Sequence, residues 1–406
     1  MTTALAATPS TAALMPVARR PEPVFTRGRG SLLWDSDGRS YLDLVQGWAV
    51  NTLGHAPGPI ADALAAQSAR LLQPGPGLFN DRAAELATRL AELSGLERVF
   101  FTSSGAEANE GAIKLARKYG QRHRGGAYEI VTFESAFHGR TLATMSASGK
   151  PSFDRMFAPQ VPGFPKARLN DLASVQALVG PQTVGVMLEP IQGEAGVVEA
   201  TPAFLQVLRA LCDTQGLLLI FDEVQTGIGR TGTLFGFEHA GVRPDILTLG
   251  KGLGGGVPIG ALLARVAVSC FEPGDQGGTY CGNPLMCAVA LAVLDAVTAP
   301  GFLATVNQRG EQLRTGLQAI ARRIGAPLPV GRGLLQALPL PGADLATRTA
   351  AALIARATPS RPGLLVNAAR PDRLRFVPAL NVDPQDLGLA LVLLEAGLQD
   401  MRSRDA

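Results

Sequence analysis

Five short apolar runs, each followed by a stretch with helical periodicity, constrain the fold of this chain more than any other feature. The runs are apolar on both faces and only a few residues long, as the buried strands of a parallel sheet are. They span Arg98–Phe101, Glu129–Phe133, Val184–Leu188, Leu217–Phe221 and Ile246–Leu249. Because strands that alternate with helices build parallel sheets, the pattern favours an α/β fold with a doubly wound sheet covered by helices.

The segments before and after this pattern differ from it in composition and in hydrophobic periodicity. Residues 1–16 are predicted to form a flexible tail, and residues 17–50 are rich in turn signals. Beyond residue 300, amphipathic helical patterns surround short strand-like pieces. We therefore expect a large domain over 51–299 and a smaller α/β domain over 300–406, with the N-terminal segment packed against the smaller domain.

Composition and charge narrow the classes of partner. Of the 406 residues, 46% are hydrophobic and 17% are charged, which is enough apolar surface for a large core. The densest basic group, Lys114–Arg124, is more typical of a solvated helix face than of a nucleic-acid site. The longest apolar run, Leu285–Val297, is too short to cross a bilayer and predicts a core helix. We expect neither a nucleic-acid partner nor a membrane.

The cysteines and the N-terminus indicate a compartment. No pair of cysteines has the two-residue spacing of a zinc or redox site, so we expect free thiols and no metal. The four are Cys212, Cys270, Cys281 and Cys287. The N-terminus shows no apolar run flanked by basic residues, as a signal peptide has. The sequence therefore predicts a cytoplasmic protein.

The residues just after each predicted strand are the first candidates for a site, because open α/β sheets bind ligands beyond the carboxyl ends of their strands. The first run is followed by Ser103-Ser104-Gly105-Ala106-Glu107, which opens a helix. Hydroxyls and a glycine at a helix N-terminus can bind a phosphate through backbone N–H groups and the helix dipole. The alternative is an ordinary cap, in which Glu107 completes a capping box.

The next two strand ends carry an aromatic turn and a pair of carboxylates. Phe137 could stack on a flat cofactor ring, with His138 hydrogen-bonded in the turn beside it; core packing of the ring is the alternative. Glu189 and Glu194 stand at the mouth of the third strand. They could face a ligand, or they could form structural ion pairs with arginine.

The last two strand ends carry a carboxylate and a lysine. Asp222 follows five apolar residues, where a carboxylate is costly unless a cation or hydrogen-bond donors meet it. A protonated pyridine nitrogen would serve, and so would a buried arginine. Lys251 stands in a glycine-rich turn, where partial burial lowers the pKa of a lysine toward nucleophilic use. A phosphate cradle, a stacking aromatic, a buried carboxylate and a nucleophilic lysine are what pyridoxal phosphate (PLP) requires.

The glycine-rich turn also suggests a different enzyme class. Gly250, Gly252 and Gly255 have the spacing of a dinucleotide-binding motif, so a nicotinamide oxidoreductase is an alternative. Pro258 follows soon after, and no clear helix begins there to receive a pyrophosphate. A binding protein that kept the fold without catalysis is a further alternative.

As an ordered set, the motifs resemble those of class III aminotransferases of PLP fold type I. The resemblance covers nearly the whole chain after residue 20. It implies PLP as cofactor, a mostly parallel seven-stranded-type sheet in the large domain, and a homodimer with active sites at the interface. The matching segments are Ser103–Ala108, Phe137–Thr141, Glu189–Glu194, Asp222–Gly227, Lys251, Gly278–Tyr280 and Gly282–Pro284.

Within the class, Gly47–Asn51, Leu53–His55 and Leu374–Leu380 are similar to the acetylornithine aminotransferases of arginine biosynthesis. That resemblance implies transfer of the side-chain amino group of N2-acetyl-L-ornithine to 2-oxoglutarate, giving N-acetylglutamate 5-semialdehyde and glutamate. Ornithine, N-succinylornithine, succinyldiaminopimelate and 4-aminobutyrate remain open as alternative donors. The stretch Pro74–Phe79 replaces a more polar segment near the substrate entrance.

The resemblance also assigns roles around the cofactor. Lys251 carries PLP and moves a proton between the substrate carbon and the cofactor. Asp222 holds the pyridine nitrogen protonated, and Gln225 contacts the ring hydroxyl. Phe137 stacks on the ring, beside His138. The residues assigned to the phosphate are Ser104, Gly105, Ala106 and, reaching across from the other subunit, Thr279.

Four further residues are assigned to the substrates. Arg375 binds the α-carboxylate of both substrates, and Glu194 is similar to a gating carboxylate that can pair with that arginine. Arg140 binds a second substrate carboxylate, and Glu189 lies in the same site.

Overall fold

A computed structural model describes residues 11–342 and 344–405 of the chain. Residues 11–16 form neither helix nor strand, whereas residues 1–10 of the predicted tail lie outside the described part. The strands are β1 (Phe25–Arg29), β2 (Leu32–Asp35), β3 (Ser40–Asp43), β4 (Arg98–Thr102), β5 (Glu129–Phe133), β6 (Lys166–Ala167), β7 (Thr183–Leu188), β8 (Ile191–Gln192), β9 (Val198–Glu199), β10 (Leu218–Asp222), β11 (Ile246–Leu249), β12 (Gly260–Ala264), β13 (Val330–Arg332), β14 (Leu335–Pro339), β15 (Gly363–Leu365), β16 (Asn367–Arg370) and β17 (Arg373–Phe376).

The helices alternate with the strands of the central sheet and dominate the C-terminal part. They are α1 (Gln46–Ala49), α2 (Gly58–Ser68), α3 (Asp81–Ser94), α4 (Gly105–His123), α5 (Leu142–Ala147), α6 (Leu172–Gln176), α7 (Pro202–Gln215), α8 (Pro284–Val297), α9 (Phe302–Ile324), α10 (Leu345–Ala355) and α11 (Pro384–Asp405). Two short 3-10 helices, Gly236–Ala240 and Lys251–Leu253, follow β10 and β11.

A seven-stranded sheet in the order β4-β12-β11-β10-β7-β5-β6 forms the centre of the molecule. All five predicted strands are present, with ends shifted by at most one residue. The pairs β11–β10, β10–β7, β7–β5 and β5–β6 are parallel, which confirms the predicted α/β fold with a mostly parallel sheet.

Strand β12 was not predicted, and it runs antiparallel between β4 and β11. Its sequence, Gly260-Ala261-Leu262-Leu263-Ala264, contains no β-branched or aromatic residue that would mark it as a strand. All five of its residues are buried, so packing between two neighbours decides its conformation.

Alternate side chains of the central strands enter two separate cores. In β10, Leu219 and Phe221 belong to the larger core with α7, whereas Leu218 and Ile220 belong to a second core with α4. Successive side chains of a strand point to opposite faces, so helices cover the sheet on both sides. This explains why the strands are apolar runs without alternation.

Helix α8 lies in the core along most of its length, as predicted for the apolar run Leu285–Val297. Within residues 11–342 and 344–405, no single helix is long and apolar enough to cross a membrane. By length and composition only, α8 and α9 together pass such a test, with a bend of 73° between them.

Two four-stranded sheets lie outside the central sheet, and one of them joins the N-terminal segment to the C-terminal part. In the first sheet, β3 pairs in parallel with β15 and so links residues 40–43 to residues 363–365. The second has the order β13-β14-β17-β16 and carries Arg375 on β17. The domain boundaries at residues 51 and 300 stay a prediction.

Candidate active site

A cavity of about 310 Å³ lies at the carboxyl edge of the central sheet, where the sequence predicted a ligand site. Nine of the predicted site residues line it: Gly105, Ala106, Phe137, His138, Arg140, Glu189, Asp222, Gln225 and Lys251. The other four lie outside this lining: Ser104, Glu194, Thr279 and Arg375. The sheet thus brings together side chains from five strand ends, because parallel strands end at the same edge.

The N-terminus of α4 opens toward this cavity. Ser104 is its N-cap and accepts a hydrogen bond from the Glu107 N–H at 3.2 Å, while the Glu107 carboxylate accepts from the Ser103 N–H at 2.8 Å. The ordinary N-cap considered as an alternative therefore exists, although Glu107 accepts from the residue before the cap rather than from the N–H of Ser104 itself, as a capping box requires. It does not use the N–H groups of Gly105 and Ala106, which helix geometry leaves without intrahelical acceptors. The cap and an anion site are compatible.

Gly105 can only be glycine. A Cβ at this position would lie 2.5 Å from a Val224 methyl and 2.8 Å from the other methyl of the same side chain. The missing side chain lets the helix terminus approach the strand end that carries Asp222, so backbone N–H groups face the cavity.

Asp222 ends β10 and is 4% exposed, and three donors satisfy its carboxylate. One oxygen accepts from the Asn109 amide at 2.7 Å and lies 2.8 Å from Nδ1 of His138. The other oxygen accepts from the Val224 N–H at 3.0 Å. These contacts replace water around a buried charge and fix the direction of the carboxylate.

Asn109 is a site residue for which the sequence analysis assigned no role. It lies within α4, is 1% exposed, and accepts a hydrogen bond from the Thr248 hydroxyl at 2.6 Å. The available signal was its position: Asn109 shares the sheet-facing side of α4 with Ala112, Ile113 and Ala116, where a polar residue requires a partner.

Lys251 follows β11 in a tight turn with φ of +39°, a conformation that non-glycine residues rarely adopt. The turn is held from outside by the Thr52 hydroxyl, which donates to the Gly252 carbonyl at 2.7 Å. Burial lowers the pKa of the Lys251 ammonium, and the carboxylate of Glu194 only partly opposes this effect. At neutral pH, a larger fraction of the molecules then carries Lys251 as the neutral, nucleophilic amine.

Glu189 is a buried acid beside this amine. Burial, followed by the charge of Asp222, raises the pKa of Glu189 to about 8, so the carboxyl is mostly protonated at neutral pH. Its Oε1 accepts from the Phe137 N–H at 2.9 Å. Glu189 therefore fixes the backbone that carries the Phe137 ring.

Arg375 is fully buried on β17 and only partly satisfied. Its Nη1 lies 2.8 Å from Oε1 of Glu194 and donates to the side-chain oxygen of Gln225 at 3.3 Å. Nε and Nη2 of Arg375, and Nε2 of Gln225, have no hydrogen-bond partner in the described part of the chain. Buried donors without acceptors are costly, so these atoms indicate a place for a ligand with acceptor oxygens.

Thr279 and Arg140 lie at the edges of this arrangement. Thr279 is exposed, and its carbonyl accepts a hydrogen bond from the Gln73 side chain. Arg140 lines the cavity, with Cζ 6.0 Å from the centroid of the Phe137 ring.

Comparisons with known proteins give the family. The model of the family "Aminotransferase class-III" matches residues 15–397. Acetylornithine aminotransferase 2 of Bordetella bronchiseptica is 55% identical over 391 residues, covering 96% of this chain and 98% of the relative. Succinylornithine transaminase of Salmonella paratyphi B is 48% identical over 373 residues, covering 90% of this chain and 89% of the relative.

A solved structure supports the same assignment. The ornithine aminotransferase of Toxoplasma gondii, with partial occupancy of PLP at its active site, superposes with a TM-score of 0.89 at 31% identity, covering 96% of this chain and 93% of that chain. A family match over most of the chain, together with relatives of this similarity, is decisive. This chain belongs to the class III aminotransferases, which are PLP-dependent enzymes.

Proposed function

We propose that this aminotransferase moves the side-chain amino group of N2-acetyl-L-ornithine to 2-oxoglutarate, giving N-acetylglutamate 5-semialdehyde and glutamate in arginine biosynthesis. The observation that carries the proposal is the 55% identity to an acetylornithine aminotransferase over 96% of this chain. The site is compatible with it, because both substrates carry an α-carboxylate and Arg375 offers two buried nitrogens without partners.

The residues of the cavity fit PLP. The Gly105 and Ala106 N–H groups at the start of α4 suit its phosphate, and the Asp222 carboxylate suits a protonated pyridine nitrogen. The unpartnered Nε2 of Gln225 is a donor for the ring hydroxyl, and Lys251 supplies the amine for covalent attachment. Bound PLP supplies an electrophilic carbon and a ring that withdraws electrons from the substrate.

The protein contributes orientation and proton transfer. The lowered pKa of Lys251 leaves an amine that can accept the proton at the substrate carbon and return it as the ammonium. The Asp222 carboxylate is held in one orientation at the end of β10 by Asn109 and His138. Arg375 orients the α-carboxylate, so that the reacting end of either substrate points toward Lys251.

A panel of amine donors with 2-oxoglutarate tests the proposal, with glutamate release as the readout. We expect kcat/KM for N-acetylornithine to exceed that for ornithine and 4-aminobutyrate by at least about tenfold, because an acylated α-amine is the feature that distinguishes the proposed substrate. The Lys251→Ala protein serves as the blank. A preference for ornithine or 4-aminobutyrate would refute the proposed donor while leaving the aminotransferase family intact.

N-succinylornithine is the second candidate donor, and the 48% identity to a succinylornithine transaminase favours it. The two donors differ only in the acyl group, which carries an extra carboxylate in N-succinylornithine. The same panel separates them, since a higher kcat/KM for N-succinylornithine would reverse the order of the two proposals.

Changing Arg375 to Lys tests the carboxylate site. A lysine cannot form two parallel hydrogen bonds, so we expect each half-reaction with a carboxylate substrate to lose about 1.5–3 kcal/mol of binding. Single-turnover absorbance changes with N-acetylornithine, 2-oxoglutarate and a plain alkylamine measure this, and the alkylamine should lose far less. The matched control is Arg230→Lys, since Arg230 is also buried but donates to the Leu334 and Pro378 carbonyls. Equal losses for all three compounds would refute the assignment.

We also propose a homodimer. Thr279 lies outside the lining of its own chain's cavity, and large apolar side chains near it are exposed, including Phe79 and Tyr280. A second copy of the chain would cover these side chains and bring Thr279 to the other subunit's phosphate site. Sedimentation at assay concentration is expected to give the dimer mass, and a fully active monomer would contradict this.

A cytoplasmic location is proposed on the basis of the cysteines, all four of which are free. Cell fractionation followed by immunoblotting tests it, and recovery of the protein outside the cytoplasm would contradict it.

A further inference from the structure

Glu194 lies between two cations that approach different oxygens of its carboxylate. Its Oε1 is 2.8 Å from Nη1 of Arg375, and its Oε2 is 3.5 Å from Nζ of Lys150. Burial raises the pKa of Glu194, but the charges of Arg375 and then Lys150 outweigh it and leave the pKa below its ordinary value. The carboxylate is thus ionised at neutral pH, and it is shared unequally between its two partners.

Aromatic rings hold Lys150 at this place. Its Nζ lies 4.7 Å from the centroid of the Phe137 ring and 5.8 Å from that of Phe153. An ammonium over a ring face is attracted by the ring quadrupole, which confines the long lysine side chain. The exposed fraction of the side chain is only 27%, so Lys150 is an ordered cation beside the cavity rather than a solvated one.

Occupation of Arg375 by a ligand creates a conflict at Glu194. A carboxylate bound to Nε and Nη2 of Arg375 would stand next to the carboxylate already on Nη1. Two like charges this close repel each other, and with only 25% of the Glu194 side chain exposed, water screens that repulsion only in part. The Glu194 carboxylate must then move away from Arg375, and the cation on its other side is Lys150. Nζ of Lys150 is 3.5 Å from Oε2 of Glu194, whereas Nη1 of Arg375 is 2.8 Å from Oε1, so the contact with Lys150 can still shorten.

We propose that Lys150 is an alternative ion-pair partner for Glu194. When a substrate carboxylate binds Arg375, Lys150 draws the Glu194 carboxylate away from that arginine. Lys150 is then a positioning residue that sets the affinity of this enzyme for dicarboxylates at Arg375. The inference rests on the proposed function in one respect, namely that the acceptor is a dicarboxylate such as 2-oxoglutarate. Lys150 acts through Glu194 and does not need to contact the substrate.

The test measures binding of glutarate, an unreactive five-carbon dicarboxylate, to the PLP-loaded enzyme by calorimetry. Lys150→Gln is expected to raise the Kd of glutarate roughly 1.5- to fivefold, the range of a partly exposed ion pair. Lys150→Arg keeps the charge and is expected to restore most of the affinity. Lys114→Gln is the matched control, because Lys114 is exposed on α4, donates to the Asp275 carbonyl, and should leave the Kd unchanged.

A double-mutant comparison separates action through Glu194 from direct attraction of the ligand. In a Glu194→Gln background no carboxylate competes for Arg375, so adding Lys150→Gln is expected to leave the Kd of glutarate nearly unchanged. An equal weakening in both backgrounds would mean that Lys150 attracts the ligand directly, which overturns the proposal. Unchanged or tighter binding in the single variant would overturn it as well.

The absorbance of bound PLP, measured on each variant, verifies that the cofactor site is intact. Because glutarate donates no amine, these affinities do not depend on which donor the enzyme uses. Failure of N-acetylornithine as a donor would therefore be distinguishable from failure of the role of Lys150.

Discussion

Replacing Lys251 with Ala is expected to abolish the absorbance of covalently bound PLP. Turnover is expected to fall by about 100- to 10,000-fold or more, because general acid–base catalysis alone contributes a factor in this range. The amine of Lys251 is the group proposed both for attachment and for moving the proton at the substrate carbon. Its tight turn and lowered pKa suit these two roles. Spectra of the purified protein and assays at saturating donor measure the effect.

A second buried lysine provides the control. Burial lowers the pKa of Lys166 to about 8, and its ammonium donates to the Thr132 hydroxyl and to the Ser146 and Ala147 carbonyls. Lys166 is therefore a second lysine with a lowered pKa, but it lies outside the cavity lining. Lys166→Met should keep the PLP absorbance. Borohydride reduction followed by peptide mass spectrometry should place the cofactor on Lys251, and finding it on another lysine would remove Lys251 from its role.

Replacing Asp222 with Asn is expected to slow the chemical step by far more than tenfold, where tenfold is about 1.4 kcal/mol. An amide carries no charge to stabilise a protonated pyridine nitrogen, so the electron-withdrawing capacity of the ring falls. The amide also has one acceptor oxygen, whereas the Asp222 carboxylate accepts from Asn109, His138 and Val224 through two. Single-turnover rates at saturating donor separate slow chemistry from weak cofactor binding.

Asp245, the residue just before the neighbouring strand β11, is a matched control. It precedes β11 at the amino edge of the same sheet, opposite the cavity, and is 4% exposed. Its carboxylate pairs with Arg209 and Arg265. Asp245→Asn should lower thermal stability but leave the rate per bound PLP unchanged. If Asp222→Asn slowed the chemical step less than roughly tenfold, its proposed role at the pyridine nitrogen would be wrong.

Much of the fold was predictable because local pattern and buried environment agree. Strands covered on both faces must be apolar throughout, so the five runs were recognisable, and their polar ends marked the edge where a ligand binds. Strand β12 was not predictable in this way. Its Ala and Leu residues suit a helix as well as a strand, and its place between β4 and β11 depends on contacts made after the rest of the sheet exists.

The sequence by itself determined the fold class and the cofactor chemistry, because buried strands must be apolar and their polar ends carry the groups that PLP requires. It also singled out Lys251 and Asp222 from their local context, whereas Arg375 came from the family resemblance, and the roles of all three stay predictions. Only the tertiary structure decided how these groups are partnered. Asn109 meets Asp222, and Lys150 shares Glu194 with Arg375, across segments far apart in the chain. Periodicity records which side of an element is buried, whereas the partner of a buried charge depends on which other element packs there.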